Sequence, residues 1–350
     1  MMPRRRFLST GFSALALAAS PKAHADEGGW PVASPESQGI DGAALQAVFD
    51  AAQEKTSFGL NGVAVVRNGF LVGERVYGYP PTSLFVINSI TKSVTSILIG
   101  IALGQGKIGS VDQTVGELLP EAAAKAPDAA ANRITLAQIL TQTSGLEEVD
   151  GLSLSLATDP VARVQAQAVH RLDPPAWAYS DAAISLLGPI LMRATGVSLE
   201  EYAKQVLFAP LGIERFGWDH GSAGAAMSWV GLKLSPRDLA KIAWLMAEGG
   251  RWRGTQVVPQ FWVTESLQPR VLPAWRVPPM AVDGYGYLWF SGILNRHRAF
   301  WGWGFGAQFA LLVPSLRLAV ATAAAASLAT AAKRNVAVMG LVSEIAALAR

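Results

Sequence analysis

The spacing of apolar residues predicts a helix and then a β-hairpin near the start of the chain. Apolar positions recur at helical intervals over Asp41–Lys55, and two alternating runs follow at Gly62–Arg67 and Phe70–Tyr77. The runs are joined by Asn68-Gly69. Asn-Gly between two alternating runs is the strongest short-range indication of a hairpin, so these runs are predicted to pair as antiparallel strands.

Helical patterns fill the middle of the chain, and strand patterns return near its end. Helices are predicted at Ser89–Leu103, Ala182–Ala194, Leu199–Leu207, Pro236–Ala247 and Thr330–Leu348. Strands are predicted at Tyr285–Phe290, Phe309–Val313 and Leu318–Thr322. The fold class is therefore α+β (α/β in composition), with an antiparallel sheet built from both termini and flanked by helices. A mainly helical subdomain is expected around residues 105–230 of a single domain.

The first 25 residues predict an export signal. Arginines at positions 4–6 precede a short apolar run that ends in Ala23-His24-Ala25, a small-residue cleavage pattern. Arg4-Arg5 followed by Phe7-Leu8 resembles a twin-arginine signal, and an ordinary Sec signal or an uncleaved anchor is the alternative. We expect the export machinery to bind this segment and to deliver residues 26–350 to the periplasm or the medium.

Charge and composition exclude several classes of function. The chain has 350 residues, 29 Lys+Arg and 26 Asp+Glu, for a formal charge of +3. Residues 1–25 hold four of the basic residues and no acidic one, so their removal changes the charge to −1. No basic excess remains to attract nucleic acid. With no cysteine, disulfide scaffolds, thiol proteases and cysteine zinc sites are excluded. The later apolar stretches are interrupted by Gly, Pro314 and Arg317, so no stable membrane span is predicted.

Known cofactor and metal motifs are not found. His170, His220 and His297 are widely separated and lack metal-ligand spacing, and no H-E-x-x-H, Walker loop or G-x-S-x-G occurs. The glycine run 302–306 precedes a predicted strand, whereas a dinucleotide site needs a helix N-terminus after its glycines. No cofactor and no metal is therefore predicted. A Ser-His-Asp triad with one of the three histidines stays open.

One serine has a chemical partner within a predicted helix. In Ser89-Ile90-Thr91-Lys92, the first and last residues are three positions apart and share one helix face. A lysine in a desolvated pocket favours its neutral form and can accept the serine proton. Backbone N–H groups at the helix start can stabilise an oxyanion. Because S-x-x-K also arises by chance, a helix cap with a solvent-facing lysine is the alternative.

Other segments, in the same order and spacing, carry a resemblance to a known family. They are Ser34-Pro35-Glu36-Ser37-Gln38-Gly39, Thr141-Gln142-Thr143-Ser144-Gly145-Leu146, Tyr179-Ser180-Asp181, Gly231–Ala240 and Trp301-Gly302-Trp303-Gly304. With S-x-x-K, the chain resembles the serine β-lactamase and penicillin-binding superfamily over nearly all of residues 26–350. Within it, the chain is similar to the class C-like branch of esterases, D-aminopeptidases and 6-aminohexanoate-dimer hydrolases. The motifs of that superfamily are S-x-x-K, Y-x-N and K-T-G or a relaxed x-x-G.

The resemblance implies a β-lactamase-like fold and an acyl-enzyme mechanism. Ser89 would attack the carbonyl, and Lys92 and Tyr179 would act as general bases that relay its proton. A neighbouring ammonium would favour the Tyr179 phenolate. The oxyanion hole would use the N–H of Ser89 and the N–H that follows Gly304, that of Phe305.

Three departures from the family pattern affect the predicted substrate. Asp181 replaces the usual Asn and cannot donate an amide N–H. The usual Lys or His of the third motif corresponds to Trp301 or Trp303, and an indole supplies no charge for a substrate carboxylate. Gln142 replaces a common His, and no role is predicted for it.

The sequence thus predicts an exported serine hydrolase that cleaves a small-molecule ester or amide, with Asp181, Trp303, Gly304 and Phe305 around the substrate. Three alternatives stay open. They are a β-lactamase or D-alanyl-D-alanine carboxypeptidase, a 6-aminohexanoate-oligomer amidase, and a binding protein of the same fold that has lost turnover.

Overall fold

A computed structural model describes residues 24–25, 30–54, 59–171 and 173–349. The predicted export signal at residues 1–25 lies outside these residues, except for His24 and Ala25, which pair with Pro31–Val32. The signal stays a prediction.

The described strands fall into two groups along the chain, one on each side of a long helical stretch. In chain order they are β1 (His24–Ala25), β2 (Pro31–Val32), β3 (Leu60–Arg67), β4 (Phe70–Val76), β5 (Phe85–Val86), β6 (Gly217–Trp218), β7 (Leu232–Leu234), β8 (Arg251–Trp252), β9 (Thr255–Gln256), β10 (Ala281–Tyr285), β11 (Phe290–Leu294), β12 (His297–Gly304), β13 (Gln308–Val313) and β14 (Leu318–Ala324).

The described α-helices are mostly short, and nine of them fall between β5 and β6. In chain order they are α1 (Gly42–Glu54), α2 (Ile90–Gly104), α3 (Val115–Leu118), α4 (Pro120–Lys125), α5 (Leu136–Leu140), α6 (Gly151–Leu156), α7 (Pro160–Gln165), α8 (Asp181–Ser185), α9 (Leu187–Thr195), α10 (Leu199–Ala203), α11 (Pro236–Ala247), α12 (Gln260–Leu267) and α13 (Ala331–Leu348).

One large sheet joins the two ends of the chain. Its strand order over the described residues is β1-β2-β4-β3-β14-β13-β12-β11-β10. The pairing of β3 with β14 is antiparallel and brings together strands more than 240 residues apart. The short β2–β4 contact is parallel, and the other pairs in this sheet are antiparallel. The predicted sheet from both termini is confirmed.

Helices cover both faces of this sheet. A Cβ on Gly73 of β4 would touch Leu45 and Phe49 of α1, whereas a Cβ on Gly62 of β3 would touch Pro236 of α11. Gly73 pairs with Val65 on β3, three positions from Gly62, so the two glycines point to opposite faces. The inner strands β13 and β14 are buried along their whole length and form the centre of the core.

The predicted strand Tyr285–Phe290 is wrong. In the structure β10 ends at Tyr285 and β11 begins at Phe290, so residues 286–289 connect two strands. Hydrogen bonds from α2 to the carbonyls of Tyr287 and Leu288 hold this connection in place, and its apolar side chains are buried. Burial without strand pairing explains why the apolar pattern resembled that of a strand. The strand β12 was not predicted.

The middle of the chain folds mainly as helices, and one of the predicted helices is divided. The helix predicted at Ala182–Ala194 is α8 and α9, separated at Leu186. Among the described residues no single helix has both the length and the apolar content needed to cross a bilayer. The one combination that reaches them is a pair bent by 72°, Asp181–Thr195 with Leu199–Phe208.

Candidate active site

Helix α2 is fixed in place by its own buried hydroxyl groups. Ser93 Oγ donates to Leu288 O at 2.7 Å, and Ser96 Oγ donates to Tyr287 O at 2.8 Å. On another side of the helix, Thr95 Oγ1 donates to Ser228 O at 2.8 Å. Buried hydroxyls that find carbonyl partners stabilise a single arrangement, so the start of α2 has a defined position. Ser89 lies at that start, as the N-cap residue.

Two glycines allow β12 to lie directly against this helix start. A Cβ on Gly302 would come within 2.8 Å of Ser93 Oγ and 3.1 Å of Ile90 Cγ2. A Cβ on Gly304 would come within 2.3 Å of Ile87 O. Because larger residues at either position would push the strand away, the glycines of the third motif set the distance between β12 and Ser89.

The structure brings together the side chains of Ser89, Lys92 and Tyr179. Ser89 Oγ lies 2.6 Å from the Tyr179 hydroxyl and 3.0 Å from Lys92 Nζ. Lys92 Nζ also lies 4.8 Å from the centroid of the Tyr179 ring. The serine hydroxyl therefore has two proton-exchanging groups within hydrogen-bond distance, which is the arrangement of an activated nucleophile.

Burial favours the neutral form of Lys92. Its side chain is 3% exposed, and Nζ donates to Trp229 O at 2.8 Å and lies 2.7 Å from Asp181 Oδ1. Desolvation lowers the pKa of Lys92, whereas the charge of Asp181 acts in the opposite direction. The sequence placed Asp181 against the substrate, and the structure places it against the lysine, where it can stabilise the ammonium formed when Lys92 accepts a proton.

The expectation of a Tyr179 phenolate is wrong. Burial raises the pKa of Tyr179 well above its usual value, and the charge of Asp181 raises it further, while the hydrogen bond with Ser89 acts in the opposite direction. The raised pKa favours the neutral phenol over the phenolate. A neutral phenol 2.6 Å from Ser89 Oγ is suited to donate a proton and take one back.

Gln142 positions the segment that carries Tyr179, a role the sequence did not predict. Its carbonyl accepts the N–H of Ala178 at 2.8 Å, and its side-chain Oε1 accepts the N–H of Ser180 at 2.7 Å. The residue is fully buried and has a positive φ of 58°. Its two acceptors hold the residues on either side of Tyr179, so the T-Q-T-S-G-L segment positions Tyr179 through the backbone.

The predicted oxyanion donors lie on two connected turns. Asn88 Nδ2 donates to Phe305 O at 2.7 Å and so ties the turn after β12 to the residue before Ser89. Within the described part of the chain, the N–H groups of Ser89 and Phe305 donate no hydrogen bond to protein atoms. Two free N–H groups beside a nucleophile can hold the oxygen of a tetrahedral intermediate.

Aromatic side chains form one side of the site, and we call Trp177, Trp275, Phe290 and Trp303 the aromatic wall. Trp275 lies in the loop before β10, with ring centroids 4.7 Å from Tyr179 and 5.6 Å from Trp303. Trp301 is fully buried behind Phe290, whereas Trp303 is partly exposed, so Trp303 is the tryptophan of the third motif that reaches the site. The sequence did not single out Trp275, because only tertiary structure brings it to Tyr179.

Two carboxylates, those of Asp181 and Glu148, lie beside Lys92 and Tyr179. Glu148 Oε1 accepts the N–H of Asp181 at 3.0 Å. Burial and the nearby charge of Asp181 both raise the pKa of Glu148. The rim of the site beside Lys92 therefore carries acidic side chains, whereas a third motif of the K-T-G type would add a positive charge to the site.

In the described part of the chain, Ser89 makes no hydrogen bond with a histidine side chain. His220 Nε2 lies 3.1 Å from Glu200, and His297 Nδ1 lies 2.9 Å from Ser315 Oγ. The side-chain partners of Ser89 are Tyr179 and Lys92. In the described residues, no group of three or more His, Cys, Asp or Glu side chains could hold a metal ion.

Parts of the chain are similar in sequence to known proteins. Esterase EstB of Burkholderia gladioli is 26% identical over 203 residues, which cover 50% of this chain and 51% of that protein. Monacolin J acid methylbutanoyltransferase of Aspergillus terreus is 33% identical over 150 residues, which cover 36% and 35% of the two chains. The chain spans about half the length, or less, of the curated relatives it matches.

A solved structure and a family model extend the comparison over most of the chain. The class C β-lactamase from Rhodobacter sphaeroides has the same fold, with a TM-score of 0.63, 19% identity, and coverage of 86% of this chain and 99% of that one. The model of the Beta-lactamase family matches residues 33–339, which include every residue of the site described above. The chain therefore belongs to the Beta-lactamase family, as its motifs predicted.

Proposed function

We propose that the protein is an exported serine hydrolase that cleaves a carboxylic ester or amide through an acyl-enzyme on Ser89. The observation that carries the proposal is the position of Ser89 Oγ, 2.6 Å from the Tyr179 hydroxyl and 3.0 Å from Lys92 Nζ. A buried lysine with a lowered pKa and a neutral phenol give the serine both a base and a proton donor.

Each proton has a defined route in the proposed mechanism. Neutral Lys92 accepts the Ser89 proton as Oγ bonds to the substrate carbonyl carbon, and Asp181 stabilises the resulting ammonium. The N–H groups of Ser89 and Phe305 hold the carbonyl oxygen as it becomes negative. Tyr179 donates its proton to the leaving oxygen or nitrogen, and the Lys92 ammonium returns a proton to the phenolate.

Deacylation uses the same groups in reverse. A water molecule attacks the acyl carbon, and its proton passes to the Lys92–Tyr179 pair. Collapse of the second tetrahedral intermediate breaks the bond to Ser89 Oγ, which takes a proton back. The products are a carboxylic acid and an alcohol or amine, and the enzyme returns to its starting protonation state.

The surroundings of Ser89 favour a neutral, apolar acyl group. The aromatic wall supplies apolar surface beside Tyr179, and the third motif, Trp301-Gly302-Trp303-Gly304, contains no lysine. Asp181 and Glu148 place negative charge beside Lys92, which disfavours a substrate carboxylate near the scissile bond. β-Lactams and peptide C-termini carry such a carboxylate, so these substrates are expected to be poor.

Turnover of three chromogenic substrates tests this proposal. We expect kcat/KM for p-nitrophenyl butyrate to exceed that for nitrocefin by about tenfold or more, because the charge-assisted hydrogen bond to a carboxylate is missing. The matching p-nitroanilide separates amidase from esterase activity, and Ser89→Ala gives the background for all three. Faster turnover of nitrocefin would establish the β-lactamase alternative. No turnover of any of them in a folded protein would favour a binding role.

Export is tested separately, by cell fractionation of the full chain. Arg4→Lys together with Arg5→Lys is expected to leave unprocessed precursor in the cytoplasm if the signal is of the twin-arginine type. A Sec signal tolerates this change because it needs only a positive charge before the apolar run. Normal export of the double variant would therefore contradict the twin-arginine assignment without affecting the proposed chemistry.

A further inference from the structure

A cleft of about 380 Å³ lies at the far end of the main sheet from Ser89. Strand β13 connects the two regions, since Gln308 pairs with Gly304 at the active site and Val313 pairs with Leu318 beside Arg317. Five residue steps of about 3.3 Å separate the two ends of β13 by about 17 Å. The cleft shares no lining residue with the active site.

Arginine side chains dominate the charge of this cleft. Arg251, Arg253 and Arg317 line it, and Glu248 is the one carboxylate among its lining residues. Arg317 Nη1 lies 3.1 Å from Glu248 Oε1, which neutralises one of the three charges. The lining residues therefore carry a formal charge of +2, although residues 26–350 together have a formal charge of −1.

Indole rings hold two of these guanidinium groups at the cleft wall. The guanidinium carbon of Arg317 lies 5.4 Å from the centroid of the Trp244 ring, and that of Arg253 lies 5.9 Å from the Trp252 ring. Stacked guanidinium groups keep their N–H donors free for oxygen acceptors and lose less entropy on binding an anion. The arginines are thus partly preorganised for a ligand.

A fourth arginine, outside the cleft lining, lies close enough to Arg317 for their charges to interact. Arg67 is 7% exposed. It lies opposite Leu318 in the pairing of β3 with β14, and Leu318 directly follows Arg317 in the sequence. Burial lowers the pKa of Arg67, and the charge of Arg317 lowers it further. The two like charges repel each other in a poorly solvated region, and a bound anion would reduce that repulsion.

We propose that this cleft is a second binding site, for a small anion that carries two or more carboxylate or phosphate groups. Guanidinium groups bind both kinds of oxyanion through paired N–H···O hydrogen bonds. The volume exceeds the ~30 Å³ of one water molecule by an order of magnitude, so the cleft accommodates a metabolite-sized polyanion. Its recognition is independent of the reaction at Ser89.

Titration calorimetry at low ionic strength tests the proposal, with pyrophosphate and citrate as separate probes. We expect saturable binding of one anion per chain for at least one probe, and the better probe identifies phosphate or carboxylate as the preferred group. Arg253→Gly and Arg317→Gly should each weaken binding about tenfold, the value of one charge-assisted hydrogen bond. Both residues have a positive φ, of 49° and 45°, so glycine suits the backbone there and the fold should survive.

Arg296→Gly is the matched control, because Arg296 also has a positive φ, of 70°, and does not line the cleft. The Arg296→Gly variant should bind the anion as tightly as the unchanged protein does. The Glu248→Gln variant should bind the anion more tightly, because it lacks the carboxylate that competes for Arg317. Equal losses in the Arg296 and Arg253 variants would show non-specific attraction and overturn the proposal.

Discussion

Replacement of Asp181 by the Asn that related enzymes carry should change the pH dependence of turnover. In the proposed mechanism, Lys92 must be neutral to accept the Ser89 proton, so kcat/KM rises with pH as Lys92 loses its proton. Asp181 Oδ1 lies 2.7 Å from Lys92 Nζ, and its charge opposes the effect of burial on the pKa of the lysine. Asp181→Asn removes that charge. The pKa of Lys92 should therefore fall, and the acidic limb should move to lower pH.

The size of the shift follows from the distance and the exposure of the pair. At 2.7 Å, two unit charges interact by about 6 kcal/mol at an effective dielectric constant of ~20 and by about 1.5 kcal/mol at ~80. Because the Asp181 side chain is 25% exposed, solvent screening places the pair in the lower part of this energy range. The loss of this attraction should still lower the pKa of Lys92 enough to move the acidic limb measurably to lower pH.

The assay is kcat/KM for a p-nitrophenyl ester as a function of pH, in both forms of the enzyme. Asp238→Asn is a matched control, since Asp238 Oδ1 lies 2.9 Å from the equally buried Lys241, which has no contact with Ser89. This control should lower thermal stability without moving the acidic limb. An acidic limb that stays in place or moves to higher pH in Asp181→Asn would show that Lys92 is not the base.

Three further substitutions test how the site is built. Gln142→Leu should lower kcat about tenfold or more with little change in KM, because the Ser180 N–H loses its acceptor and Tyr179 is displaced. Gln142→His should restore part of the rate. A loss of stability in Gln142→Leu without a fall in kcat would contradict this role. Gly302→Ala should lower the free energy of unfolding by about 1–3 kcal/mol in urea denaturation, because its Cβ would lie 2.8 Å from Ser93 Oγ. Trp275→Ala should raise KM for butyrate esters more than for acetate esters, and identical changes for both would place Trp275 outside the acyl pocket.

Local sequence patterns were sufficient to predict the elements that carry the nucleophile and the main sheet. Asn68-Gly69 has positive φ at both residues and closes the β3–β4 hairpin as expected. The helix at Ser89–Leu103 was predicted almost to its end, because α2 is continuous and strongly apolar. The S-x-x-K spacing correctly placed Lys92 beside Ser89, since residues three apart share a helix face.

The parts of the site that the sequence did not reveal depend on contacts between distant segments. Gln142 holds residues 178 and 180 from 36 to 38 positions away, and its role arises only when α5 and α8 meet. Trp275 reaches Tyr179 from a loop with no regular pattern. The pKa directions of Lys92 and Tyr179 likewise depend on burial, which a list of neighbouring residues does not give.

A covalent adduct with a fluorophosphonate probe tests the central claim most directly. The probe reacts with a serine only when a neighbouring base activates its hydroxyl, and peptide mass spectrometry identifies the modified residue. The account predicts one adduct per chain, at Ser89, lost in Ser89→Ala and strongly slowed in Lys92→Ala. An adduct at another serine, or labelling of Ser89 that is unchanged in Lys92→Ala, would contradict it.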